Sequence, residues 1–163
     1  MSRSPKIVVC AGLISFLASA AAAQSIVMQK TLSLGLAKTI AEATLAECKS
    51  KGFTTSAVVV DRAGQVLVML RDEAATAQTA EMARRKAFTA RMFRTSTLEF
   101  QTRTQDPKYA AQRDVTDILA LGGGVPILIG DEVIGGVGSS GSSQPQDDAC
   151  AKAGVAKVAA LLK

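Results

Sequence analysis

None of the 163 residues is histidine. That absence excludes Ser-His-Asp and Cys-His catalysis, together with every metal site that depends on imidazole. Tryptophan is also missing, tyrosine occurs once and phenylalanine five times. A core must therefore come mainly from Ala, Val, Leu and Ile, and a hydrophobic fraction of 48% makes a substantial one possible. Strong charge of one sign is lacking too. The formal charge is +5, but two of the 19 basic residues, Arg3 and Lys6, fall in an opening segment without acids, leaving 17 against 14 acidic residues. So mild an excess does not argue for nucleic acid, whose partners carry larger, clustered basic surfaces. After Cys10 only Cys48 and Cys150 remain, too few and too far apart for a zinc site.

The opening segment has its own logic. Arg3 and Lys6 form a short positive region, Ile7 to Leu17 an uncharged apolar run, and Ala21-Ala22-Ala23 a small-x-small cleavage site. The run is too short for a spanning helix, which needs about 20 residues. Cys10 lies too early in the run for a lipidated cysteine. The pattern predicts a signal peptide over 1–23, cleavage after Ala23, a periplasmic or secreted location, and no stable membrane anchor afterwards. Residues 24–163 are then one ordinary domain by size. In an oxidising compartment Cys48 and Cys150 have two readings, a pair of buried thiols or one bridge between the first and last helices.

Along the mature chain, Ser33 caps a helix over Leu34 to Lys51, with Ala37, Ile40, Ala41, Thr44 and Cys48 at helical spacing and Gly52 as a stop. Ser56–Val60 and Gln65–Leu70 read as a hairpin around Asp61-Arg62-Ala63-Gly64. A long helix covers about Thr76 to Phe93, and Ser96 with Glu99 fits a capping box. Gln101 to Asp114 reads as loop and broken helix, and Val115 to Leu121 as one or two helical turns. A second hairpin joins Val125–Ile129 to Glu132–Gly138 through Gly130-Asp131, with Ser139 to Ser143 as a flexible loop. A last helix opens near Asp147, with Cys150, Ala151, Gly154, Val158 and Leu161 inward. Helix, hairpin, helices, hairpin, helix is an α+β order, with an antiparallel sheet under helices. Antiparallel packing of the terminal helices would bring Cys48 and Cys150 together.

Chemistry-bearing patterns are sparse. The Asp147-Asp148 pair reads as helix N-terminal charge complementing the macrodipole. Gly122-Gly123-Gly124 precedes a strand, so it is no phosphate-binding fingerprint; a tight turn or a ligand approach each accounts for it. Gly135, Gly136 and Gly138 lie within a strand, where glycine marks close approach by a ligand, a subunit or a helix. Arg84, Arg85, Lys86, Arg91 and Arg94 share one helix and read mostly as solvated surface, while Arg71 beside Asp72 has the chemistry to clamp a carboxylate.

Several motifs in order carry a family resemblance: Ala57-Val-Val-Val-Asp61, Gly64, Leu70-Arg71-Asp72-Glu73-Ala74, Lys86-Ala87-Phe88-Thr89-Ala90, Gly122-Gly123-Gly124-Val125-Pro126-Ile127, Val133-Ile134-Gly135-Gly136-Val137-Gly138 and the closing Asp147-Asp148-Ala149-Cys150-Ala151-Lys152-Ala153-Gly154. Together they resemble the GlcG/HbpS family of haem-binding proteins, related to the C-terminal domain of PduO, over about Leu32 to Leu162. The resemblance implies a profilin-like or PAS-like fold with packed terminal helices, a homo-oligomer, and haem or another tetrapyrrole as a small-molecule ligand in a sensing or haem-degrading role. A cleft lined by Arg71, Asp72, Lys86, Gly122, Gly123, Gly124, Gly138 and Ser139 is the expected seat. Without histidine the iron ligands left are Tyr109, Met82, Met69, Met92 or a reduced cysteine. Tyr109 has a plainer reading as a half-wet loop aromatic, and Met69 and Met82 as core fillers. Two other readings stand beside this one: an enzyme using Asp72, Glu73, Lys86 or Asp147 for proton transfer, and an oligomeric accessory protein without a ligand.

Overall fold

A computed structural model describes residues 26–163. The predicted signal peptide lies outside the described residues, as does Cys10. Four helices, α1 (Leu34–Ser50), α2 (Gln78–Phe93), α3 (Thr97–Arg103) and α4 (Gln144–Ala156), surround four strands, β1 (Ser56–Val60), β2 (Val66–Arg71), β3 (Gly124–Ile129) and β4 (Glu132–Ser140). The strands form one antiparallel sheet in the order β2-β1-β4-β3. No helix among the described residues is long and apolar enough to cross a membrane.

Helices cover both faces of the sheet. Alternate residues of β1 divide between them: Ala57 and Val59 join Ala37, Ile40 and Ala41 of α1 with Ala151 of α4, while Val58 and Val60 meet Ala83 and Ala87 of α2. Every residue of β1 is consequently buried, as a doubly covered central strand requires. Close approach by α2 explains the strand glycines. A Cβ built on Gly138 would lie 2.0 Å from the Ala83 carbonyl oxygen, and one on Gly136 would lie 2.4 Å from that of Ala87. Of the three candidate neighbours, the packed helix is the one found. Gly135 serves the other face, where its Cβ would strike Leu32.

The terminal helices run antiparallel, with Gly154 of α4 against Ile40 and Thr44 of α1. Cys48 and Cys150 are bonded as a disulfide with Cα atoms 5.5 Å apart, and both are fully buried. The bridge reading holds over that of two thiols.

Local signals were accurate where a side chain bonds its own backbone. Ser33 accepts the Leu36 N–H at the start of α1. Ser96 and Glu99 form the reciprocal capping box of α3. Removing the hydroxyl in Ser96→Ala is expected to cost about 1 kcal/mol, read as a small drop in the thermal unfolding midpoint. An unchanged midpoint would show that buried Thr97 and Phe100, and not the cap, hold α3.

Four expectations change. Val115 to Leu121 forms no helix, because α2 claims its backbone: Thr89 Oγ1 accepts the Leu119 N–H, and Arg85 donates to the carbonyls of Asp117 and Ile118. Ser139 and Ser140 are no loop; they continue β4, pair with Ala57 and Ser56, and are buried. The last helix begins at Gln144 after Ser143, and its tail turns away, leaving Leu161 exposed while Val158 stays inside. Met69 is no core filler either: on edge strand β2 it is 45% exposed.

Candidate functional site

The sheet has two ends with different chemistry. At one, β1 and β3 begin and β2 and β4 finish, and most of the sequence-predicted site residues gather there. Lys86, one of a basic cluster read mostly as solvated surface and also placed by the resemblance in the cleft, is 2% exposed. It projects from α2 to the end of β4 and donates to the Ser139 carbonyl and to Asp147 Oδ2, each at 2.9 Å. Asp147 is likewise buried; its other oxygen accepts from the Ser142 hydroxyl at 2.7 Å and the Ser142 N–H at 3.2 Å. Burial pushes the Lys86 ammonium below the ordinary lysine pKa, and Asp147 opposes that push. Asp147 lies in the first turn of α4, as the macrodipole reading has it, and is in addition the partner of a buried ion pair. Its neighbour Asp148 pairs with Lys152 instead.

The triple glycine wraps this pair. Gly123 has φ +123, and a Cβ there would approach the Ser139 carbonyl to 2.6 Å and Lys86 Nζ to 3.0 Å. A Cβ on Gly124 would sit 2.2 Å from the Lys86 carbonyl oxygen. The Gly122 and Gly124 N–H groups donate to Gln144 Oε1 and Thr97 Oγ1. The Ser139 hydroxyl lies 3.5 Å from Asp147 Oδ1 and 3.6 Å from Cys48 Sγ, linking the pair to the disulfide. Lys86, Gly122, Gly123, Gly124 and Ser139 are thus brought together, but as an internally satisfied polar network that ties α2, β4 and α4. Gly138 is one residue away, filled by the α2 backbone.

Arg71 and Asp72 end β2, two strands across. Arg71 folds back to donate to the backbone carbonyls of Asp72 and Ala75. Asp72 is buried, accepting from the Ala74 N–H at 3.0 Å and from Lys49 at 3.3 Å. The Ala74 N–H is the largest influence on this carboxyl and holds its pKa below the ordinary range, outweighing burial, with Lys49 assisting. Both residues are engaged in shaping their own turn, and Glu73 is exposed beside them. Tyr109 is half-buried ahead of a 3-10 turn (Ala110–Asp114), with Lys108 Nζ 5.2 Å from its ring centre, and Met82 is half-buried on α2.

The opposite end is open. A cleft of about 430 Å³ is walled by Arg62, Arg91, Arg94, Ile129, Glu132 and Val133, and a second of about 700 Å³ by Val27, Met28, Thr31, Asp61, Arg62 and Arg91. Both volumes fall in the range of ligand sites, roughly 300–1,000 Å³. Arg62 and Arg91 form their common wall, and Val27 and Met28 are 72% and 89% exposed. Sequence reasoning named Arg91 and Arg94 only as surface charge and Arg62 only as a turn residue. The usable signal is the i, i+3 spacing of Arg91, on the last turn of α2, and Arg94, just past it.

An antiparallel sheet with terminal helices on one face and a long helix on the other defines the α+β class of profilin-like and PAS-like domains. The chain belongs to the family of haem degrading HbpS-like proteins, whose family model matches residues 32–156. It is similar to HbpS itself, with 33% identity and a TM-score of 0.77 over 80% of this chain and 92% of that one. The PduOC:heme complex has 25% identity and a TM-score of 0.70 over 77% and 94% of the two chains. An uncharacterized 15.0 kDa protein from the dhaT-dhaS intergenic region of Citrobacter freundii is 32% identical over 120 residues, covering 72% of this chain and 84% of that protein.

The donor set fits a tetrapyrrole at its acidic edge better than at its iron. Guanidinium groups match propionates. With both described cysteines bonded, the iron donors among the described residues are Tyr109 and thioethers, including Met28 at the open end. No group of three or more His, Cys, Asp and Glu side chains among the described residues is placed to hold a free metal ion.

Proposed function

We propose that this protein is an exported haem- or tetrapyrrole-binding module, acting in haem sensing or haem breakdown. The observation that carries the reading is the family match across nearly all of the folded domain, joined to a relative of the same fold whose structure is a haem complex. Export is supported by the leader pattern and by the Cys48–Cys150 bridge, a bond that persists outside reducing compartments. A homo-oligomer belongs to the same proposal. Exposed Val66 and Met69 on edge strand β2 and Leu128 on β3 are surfaces on which copies could meet.

Adding hemin in steps to the purified protein is expected to give a saturable shift of the Soret band, absent from a control protein of similar charge. Tyr109→Phe should alter that spectrum if the phenol holds the iron and leave it unchanged if a thioether does. A linear, unsaturated response at micromolar hemin would remove the tetrapyrrole reading and leave the fold.

A further inference from the structure

The open end of the sheet concentrates cationic groups for which the fold itself has little use. Arg91 and Arg94 stand at i, i+3 near the end of α2, and Arg62 reaches the same cleft from the β1–β2 turn. Arg62 is neutralised by an ion pair with Glu132. Neither Arg91 nor Arg94 has a carboxylate within 4 Å among the described residues. Arg91 uses Nε on the Arg62 carbonyl, which leaves both terminal nitrogens free of described partners, and Arg94 makes no side-chain hydrogen bond to any described residue. Burial, and then the charges of Arg62 and Arg94, push the Arg91 guanidinium below its usual range, with Asp61 opposing.

A surface arginine ending a helix needs no ligand, since it complements the dipole there. Two features go beyond that role. Arg94 has φ +56, a left-handed conformation at a position that usually carries Gly or Asn. The Arg91 Cβ packs over Gly136, where an added Cβ would come within 3.3 Å of it, and its Nε donates to the Arg62 carbonyl, which holds the guanidinium at the wall of the cleft. Asp131 and Glu132 rim the same cleft, and Glu132 is already committed to Arg62.

We propose that this cleft is an oxyanion site, in which Arg91 and Arg94 take a carboxylate or phosphate group through paired hydrogen bonds. Arg62 is its fixed wall, and the apolar body of the ligand lies along Val27 and Met28 in the adjoining cleft. Planar guanidinium groups suit a two-oxygen face, and such charge-assisted bonds are the strong ones. The inference does not rest on the tetrapyrrole reading: propionates are one carboxylate source, and no iron is needed.

The test is calorimetric titration of the purified protein with succinate and, separately, with inorganic phosphate. At least one of them is expected to bind saturably, and whichever does names the source of the oxyanion. Arg91→Gln should weaken that binding about tenfold or more, the loss of a charge-assisted hydrogen bond. Arg94→Asn should do the same while suiting the left-handed backbone, so the proposal stays testable if the Arg91 variant fails to fold. Two results would overturn it: no saturable binding of either anion, or unchanged binding in a folded Arg94→Asn protein. Hemin is titrated in parallel. Hemin binding without anion binding sinks this site and keeps the tetrapyrrole reading; anion binding without hemin binding does the reverse.

Discussion

Lys86→Met should destabilise the protein by about 3–5 kcal/mol, because it leaves the buried Asp147 carboxylate without its cation. At roughly 2–4 °C per kcal/mol for a chain of this size, the thermal midpoint falls by on the order of 10 °C. Asp147 keeps its two bonds from Ser142, but neither brings a compensating charge. Adding Asp147→Asn to the same chain removes the stranded charge and keeps an oxygen for Ser142. That double variant is expected to recover more than half of the loss, since replacing both members of a buried pair is far cheaper than breaking one.

The pH dependence separates this account from simple loss of packing. The folded pKa of Lys86 lies below its ordinary value of 10.5, with burial as the cause. The unfolded chain therefore binds the proton more tightly, and stability rises with pH between the folded value and 10.5. Lys86→Met should lack that alkaline rise. Urea unfolding across this pH range measures it, and a Met variant within about 1 kcal/mol of wild type at neutral pH would show that the pair contributes little.

Loss of the Cys48–Cys150 bridge is the second large effect. The two residues are separated by 102 positions, so the bond closes a loop that holds the whole sheet with α2 and α3. For a loop of that size the chain-entropy account assigns about 4.7 kcal/mol, and removal of native bridges typically costs about 2–5 kcal/mol. Cys48→Ala combined with Cys150→Ala is expected to lower the midpoint by roughly 10 °C at the same conversion. Both sulfurs are buried, so a thiol reductant should leave the folded protein oxidised until the terminal helices open. A double variant that melts with wild type would place the stabilisation in the α1–α4 packing, where Gly154 already brings the helices close.

These residues also show why parts of the site were legible in sequence and others were not. The Ser33 cap, the Ser96–Glu99 box and the Asp61 turn are local. In that turn Asp61 Oδ1 accepts the N–H groups of Ala63 and Gln65. Patterns of this kind are complete within five residues and read directly. Lys86 shares α2 with Arg84, Arg85 and Arg91, with Arg94 just past its end, and composition alone reads the group mostly as solvated surface. What distinguishes it is Asp147, 61 positions later, at the end of a strand that only the sheet brings alongside. Val115 to Leu121 failed as a helix for the same reason, since the side chains bonding its backbone belong to α2.

By itself, then, the sequence determined the α+β order, the hairpins, the caps, the pair of cysteines available to bond and the family. Each follows from periodicity, turn chemistry or ordered motifs, which are properties of neighbours along the chain. Tertiary structure alone decided that the glycines of β4 admit a helix, that Lys86 is an internal cation and Arg71 a turn brace, and that Arg62, Arg91 and Arg94 share an open cleft. Those outcomes depend on which side chains meet across the sheet and on whether a charge finds a partner before it meets water.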